Sequence, residues 1–225
     1  MPLGDDRQFA PATERNRQPI LDVLHEVLPA EGSVLEISSG TGEHAVFFAS
    51  QLSPRQWLPS DPNPIARASI AAWRSHYPSN NLYPPLALDA REELWPVESM
   101  SIQQNGWPPE FQGLDIEQHP IRAIVNINMI HIAPWTACLG LFAGAERILP
   151  EDGILYLYGP YKQNGEHTAP SNAAFDHSLR SQNSDWGVRD LADVVAAARE
   201  RHLALVKTVP MPANNLSVIF QRQSS

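Results

Sequence analysis

The 225 residues suit one ordinary domain, large enough to bury a core without disulfide or metal staples. A hydrophobic share of 43% and a charged share of 18% exclude a disordered or fibrous chain, and the single cysteine, Cys138, excludes a multi-cysteine zinc site. The 25 acidic and 16 basic residues leave a formal charge of −9 with the arginines scattered, so nucleic acid is not the expected partner.

No apolar run reaches the ~18 residues of a membrane span, and the N-terminus shows no signal-peptide stretch, so a cytoplasmic protein is expected. The 21 prolines and 12 glycines punctuate the whole chain rather than one linker. Helical spacing of Ile20, Leu21, Leu24, Val27 and Leu28 predicts a helix over 16–28, with Pro19 in its first turn. A short strand over 34–37, a glycine-rich turn and a helix over 43–51 follow. Trp57 and Leu58 lead to Asp61, and Ile65, Ala68, Ile70, Ala71 and Trp73 mark the next helix. A third strand is expected over 82–88, against the objection of Pro84 and Pro85.

Residues 91–120, with Gly106-Trp107-Pro108-Pro109, read as a loop or irregular insertion. Regularity returns with a strand over 121–128, a helix over 134–149 and a strand over 154–158. A polar stretch, 159–187, precedes a helix over 188–202, and two strands, 203–209 and 216–222, close the chain. Alternating strands and helices call for a doubly wound, mostly parallel sheet in one domain, with the last two strands antiparallel at an edge. Ligands of such sheets bind beyond the strands' carboxyl ends, at the switch point.

The turn VLEISSGTGEHA, residues 34–45, stands in that position. Gly40 and Gly42 follow a strand and precede a helix, as a nucleotide-type turn requires. A bare G-x-G equally suits a plain connection. Glu36, Asp61 and Asp89 add weight, because each ends a successive expected strand. Gly40, Gly42 and Ala45 also satisfy the dinucleotide pattern, but Glu36 and Glu43 set negative charge where a pyrophosphate would lie. S-adenosyl-L-methionine, cationic at its amino and sulfonium groups, suits acidic neighbours better.

These residues resemble motif I of class I S-adenosylmethionine-dependent methyltransferases, with Ser38 in place of the usual first glycine. Nearly the whole chain is similar to a methyltransferase-like family catalogued as domain of unknown function 938. The matching segments are FAPATERN (9–16), LEISSGTGEHA (35–45), LPSDP (58–62), NINMIHIAPW (126–135), YGPY (158–161), PSNAAFD (170–176), WGVRD (186–190) and MPANN (211–215). The resemblance implies a seven-stranded Rossmann-like sheet and S-adenosyl-L-methionine as cofactor. It names no substrate. Glu36, Ser38, Gly40, Gly42 and Asn126 would then face the methionine part, Asp61 the ribose, and Asp89 and Ala90 the adenine. Arg15 and Asn16 would belong to an N-terminal cover, residues 1–16.

Oxygen and nitrogen acceptors often need a base, and His131, after the fourth regular strand, is the candidate, assisted by Asn128 and Tyr161. Alternation predicts Asn126 and Asn128 on one side of that strand. Trp135, Tyr158, Asn172, Asp176 and Asn214 are candidates for substrate contact, the middle of 159–187 serving as a lid. Each also has a structural reading, as core aromatic, turn or cap. No P-loop lysine, nucleophile elbow or H-x-x-x-H spacing is present. The expected function is methyl transfer to a small molecule. A non-catalytic partner or sensor with the same fold and, behind it, a nicotinamide-dependent oxidoreductase are the alternatives.

Overall fold

A computed structural model describes residues 5–98 and 108–224; Gly106 and Trp107 of the expected irregular insertion lie outside the described residues. Helices α1 (Pro11–Val27), α2 (Glu43–Gln51) and α3 (Pro64–His76) alternate with strands β1 (Ser33–Ile37) and β2 (Gln56–Ser60). Further along come β3 (Ile121–Ile127), α4 (Trp135–Ile148) and β4 (Ile154–Pro160). A small hairpin of β5 (Lys162–Gln163) and β6 (Glu166–His167) precedes α5 (Pro170–Gln182) and α6 (Leu191–Arg199). Strands β7 (Leu203–Met211) and β8 (Asn215–Arg222) complete the order. No helix among the described residues is long and apolar enough to cross a membrane.

Among the described residues the main sheet has 6 strands in the order β2-β1-β3-β4-β8-β7. Strands β2, β1, β3 and β4 run parallel, and β8 is antiparallel to both β4 and β7. This is the expected Rossmann-like architecture, one strand short of seven. Residues 82–88 do lie along β2, but only as isolated bridges, Trp57 to Leu82 and Ser60 to Leu86. Pro84 and Pro85 carry no backbone N–H, so the ladder cannot be continuous there.

Strand β1 is buried along its whole length, as a central parallel strand covered on both faces must be. Val34 faces one core with Ile20, Leu24, Phe48, Trp57 and Tyr156. Leu35 and Ile37 face the other with Leu141, Phe142, Val194 and Phe220. Cys138 is buried in that second core.

Helix α1 starts earlier than its apolar spacing predicts. Pro11 takes the first helical position and Pro19 lies inside the helix, not in its first turn. The added turn is polar yet buried at Thr13, so a search for apolar spacing passes over it. Helix α6 starts at Leu191 rather than 188 because the Asp190 side chain caps it, accepting the Ala192 N–H. The polar stretch 159–187 is not a loop: it folds into the β5–β6 hairpin and α5.

Candidate functional site

Strand β1 has β2 on one side and β3 on the other, so the crevice beyond their carboxyl ends is the switch point. The chain leaves β1 there through a turn with three left-handed residues, Ser38 (φ 57°), Gly40 (φ 57°) and Gly42 (φ 90°). Ser38 therefore adopts a glycine-like conformation, at a cost of roughly 1–2 kcal/mol for a residue with a Cβ. Beside Gly40 there is open space: a Cβ built on it meets nothing within 4 Å. Gly42 is the opposite case, since its Cβ would lie 2.7 Å from the Ile70 backbone of α3.

Side chains from the strand ends hold this turn. The Gly40 N–H donates to Asp61 Oδ2 at 3.0 Å, and the Asn63 N–H donates to Asp61 Oδ1 at 2.9 Å. The Ser39 N–H donates to the Ser60 carbonyl at 2.8 Å, and Ser60 Oγ donates to the Glu36 carbonyl at 2.7 Å. Asn126 closes the crevice from β3, its Nδ2 donating to the Ile37 carbonyl at 2.9 Å. Ser60 carries little signal in the sequence, as one small polar residue at the end of an apolar strand.

Glu36 is buried, and Trp57 Nε1 donates to its Oε2 at 2.8 Å. Burial pushes its pKa up to about 7; the hydrogen bonds from Trp57 and Ser39 pull it down, and the charge of Asp61 raises it further. Asp61 is also raised by burial, against the pull of the Asn63 and Gly40 N–H groups and of Arg67. Two buried carboxylates thus flank the open turn, and the nearby Arg67 guanidinium is bonded to the Asp61 backbone carbonyl rather than to either carboxylate. A group bearing positive charge relieves that strain, and an anionic one does not. Asp89 stands apart, in an ion pair of 2.6 Å with Arg91 that holds its carboxyl below the usual range. Ala90 is buried with its carbonyl against α4, 2.2 Å from where a Cβ on Gly140 would be.

The rim beyond β3 and β4 is built differently. Strand β3 stops at Ile127 and Asn128 turns left-handed (φ 65°), so the strand alternation expected to align Asn128 with Asn126 does not reach it. His131 lies inside the core, with zero exposure, rather than on a solvated rim. Neither ring nitrogen has a hydrogen-bond partner, and burial with the nearby charge of Arg189 pushes its pKa down to about 3. Its Nε2 is 2.3 Å from where a Cβ on Gly159 would stand, so glycine at the end of β4 makes room for the imidazole. Tyr161 meets His131 edge to face at 5.3 Å, and its buried hydroxyl also lacks a partner. Tyr158 faces the other core and bonds Asn16 and Asn215, so the two tyrosines are not brought together.

The N-terminal segment is bound to the α2 and α3 side of the glycine turn. The Ala10 N–H donates to Glu43 Oε2 at 2.6 Å, the Gln8 N–H to Ser69 Oγ at 2.8 Å, and Trp73 Nε1 to the Gln8 carbonyl at 2.8 Å. Asn16 Oδ1 is 2.8 Å from His44 Nε2, so one buried amide joins α1, α2 and β4. Arg15 is exposed on α1. Helix α5 is held by polar contacts. Asn172 Nδ2 donates to the Asn214 carbonyl at 3.0 Å, bringing that predicted pair together, and Asp176 accepts the Val188 N–H at 2.7 Å. Trp135 is half-buried under the Arg189 guanidinium, 5.6 Å from its ring centre.

The fold is shared with solved methyltransferases. An O-methyltransferase family protein from Burkholderia thailandensis superposes with a TM-score of 0.70 at 15% identity, covering 95% of this chain and 58% of that one. An O-methyltransferase family 2 protein from Planctomyces limnophilus, in complex with apigenin, gives 0.70 at 17%, covering 94% and 57%. Human N-acetylserotonin methyltransferase in complex with SAM gives 0.65 at 10%, covering 92% and 55%. The chain thus spans less than three fifths of the length of these proteins. The model of the family described as "Protein of unknown function (DUF938)" matches residues 7–222, and the chain belongs to that family.

Proposed function

We propose that this protein transfers a methyl group from S-adenosyl-L-methionine to an oxygen, nitrogen or sulfur atom of a small molecule. The observation that carries the proposal is the open, left-handed turn at Gly40, clamped by Asp61 and backed by buried Glu36 at the switch point. The space beside Gly40 and the two strained carboxylates suit a cationic cofactor. Ser38, Gly40, Gly42, Glu36 and Asn126 would surround its methionine part, Asp61 the ribose, and Asp89 and Ala90 the adenine. Bound there, the cofactor supplies an electrophilic methyl group on a sulfonium. The chain's own contribution is to fix geometry and exclude water, which can supply much of the rate for a displacement. Asn16 would act by seating α1, since both ends of its amide are engaged. A dinucleotide fits less well, because the Glu43 carboxylate already occupies the start of α2, accepting the Ala10 N–H and the Thr41 hydroxyl.

His131 supports a second reading. A fully buried imidazole held neutral down to about pH 3 is a poor base for an incoming acceptor, which favours a non-catalytic, cofactor-binding protein or a reaction needing no histidine base. We therefore assign His131 and Tyr161 to shaping the rim beside Asn128. Calorimetric titration with S-adenosylmethionine, S-adenosylhomocysteine and NADH, using Asp61→Ala as control, tests the main proposal. Binding of the first two, at least tenfold weaker in the variant, is the expected result. Binding of NADH alone, or of none, overturns it.

A further inference from the structure

A cavity of about 1010 Å³ lies between α4 and α6, bordered by the β5–β6 hairpin and α5. Trp135 and Leu139, one turn apart on α4, form an apolar wall, and Ala196 and Ala197 of α6 lie along the other side. Three cations line it: Lys162, Arg180 and Arg189. Lys162 Nζ and Arg180 Nε both lie against the buried carboxylate of Asp176, at 3.3 and 3.2 Å. His167 Nε2 and the Val188 N–H reach the same carboxylate at 3.3 and 2.7 Å. One carboxylate therefore holds more donors than it needs.

Arg189 is spent on neutral groups, donating to the carbonyls of Ile130, Ala133 and Asp185. Its charge is desolvated and faces Arg180 without a carboxylate in ion-pair contact among the described residues. The acids of the lining stand elsewhere. Asp190 turns its two oxygens onto the Gly165 and Ala192 N–H groups, while Asp193 and Glu200 lie farther along α6. Cations and acids therefore meet at the start of α6, where Asp190 caps the helix and Asp193 stands in its first turn, and Glu200 lies at the other end.

The part of the cavity around Lys162 sits on the same side of the sheet as the glycine turn. Strands β1, β3 and β4 are parallel, and the chain reaches Gly40, Trp135 and Lys162 shortly after their respective carboxyl ends. We propose that the part of the cavity around Lys162 and Arg180 is the acceptor subsite and that the methyl acceptor carries a carboxylate or phosphate, which would take these two cations from the crowded Asp176, with its apolar body on Trp135 and Leu139. The proposal rests on the methyltransferase reading. Asp193 and Glu200 repel a second anionic group, so the remainder of the acceptor is neutral or cationic.

Titration calorimetry with 4-hydroxybenzoate, phenyl phosphate and phenol tests this on the wild type and on Lys162→Gln and Arg180→Gln. Both side chains are partly exposed, and unchanged S-adenosylhomocysteine affinity in the variants checks that they fold. The expected result is binding of at least one anion but not of phenol, weakened tenfold or more in each variant. Which anion binds more tightly separates a carboxylate acceptor from a phosphate one. Homocysteine-derivative binding without anion binding, or anion binding unaltered in both variants, overturns the subsite and leaves the methyltransferase reading intact. Anion binding without S-adenosylhomocysteine binding overturns that reading and the acceptor role with it.

Discussion

The two halves of the sheet's carboxyl edge are built on opposite plans. Beyond β1 and β2, backbone N–H groups and small polar side chains frame a turn that is open at Gly40. At the ends of β3 and β4, large side chains pack into the core, with His131 against Gly159 and Tyr161 against His131. The first half presents groups to a ligand. In the second, the residues with the most reactive chemistry are the least accessible. Residue type therefore reports what a side chain can do in water, and burial decides whether it does so.

Adding one methyl group to each half separates the plans most sharply. Gly159→Ala forces a Cβ to 2.3 Å from His131 Nε2 in a packed core. Overpacking of that kind costs about 1–3 kcal/mol or more, and a denaturant titration should show it. Gly40→Ala meets no neighbour and pays only for its left-handed φ of 57°, about 1–2 kcal/mol. Its larger effect is on ligand: the methyl enters the space proposed for the cofactor, and S-adenosylhomocysteine affinity should fall at least tenfold. Equal affinity in Gly40→Ala and wild type would move the cofactor away from this turn.

The pH dependence should likewise divide the edge. Glu36 has a folded pKa of about 7, above its ordinary 4.5, so its contribution to stability is full below about pH 4.5 and is lost as pH rises through 7. Glu36→Gln should raise the melting temperature at pH 8 by roughly 5 °C and change it little at pH 4.5. Cofactor binding should follow the opposite course. Affinity for S-adenosylmethionine should climb between pH 6 and 8 as Glu36 ionises, and the climb should vanish in the variant.

His131 has a folded pKa of about 3, below its ordinary 6.5, so its contribution is full above about 6.5 and is lost as pH falls toward 3. His131→Leu should shift acid unfolding to lower pH while leaving stability at pH 7 within about 1 kcal/mol, since the imidazole makes no hydrogen bond there. A hundredfold loss of methyl transfer in a folded His131→Leu protein would restore the histidine as the base.

The alternation of strands and helices and the glycine turn were legible because period and punctuation encode them locally: Val34, Leu35 and Ile37 before Gly40 read as strand and turn without further help. The rim was not. His131 follows a strand, as a base should, but its burial depends on Gly159 and Tyr161, far along the chain and on another strand's end. The start of α1 was missed for a related reason. Thr13 is a polar residue whose burial exists only after folding. Apolar spacing records what is hidden from water, and polar burial leaves no such trace.

Asn16 gives the smallest of the expected effects and bears on how far the open half extends. Its amide spans α1, α2 and β4, so it ties the N-terminal segment to the helix after the glycine turn and to β4. Asn16→Ala removes bonds to His44 and Tyr158 and leaves the buried His44 short of a partner, while Tyr158 keeps Asn215. The cost should be about 1–3 kcal/mol by denaturant titration. If α1 merely packs on the sheet, cofactor affinity stays at the wild-type value. If α1 covers the cofactor, affinity falls a fewfold, and deletion of residues 1–16 deepens that loss. Asn16→Asp separates bond loss from charge, because it keeps an acceptor for His44 but sets a carboxylate beside the Tyr158 hydroxyl. A cover that depends on hydrogen bonding alone should lose less affinity in Asn16→Asp than in Asn16→Ala.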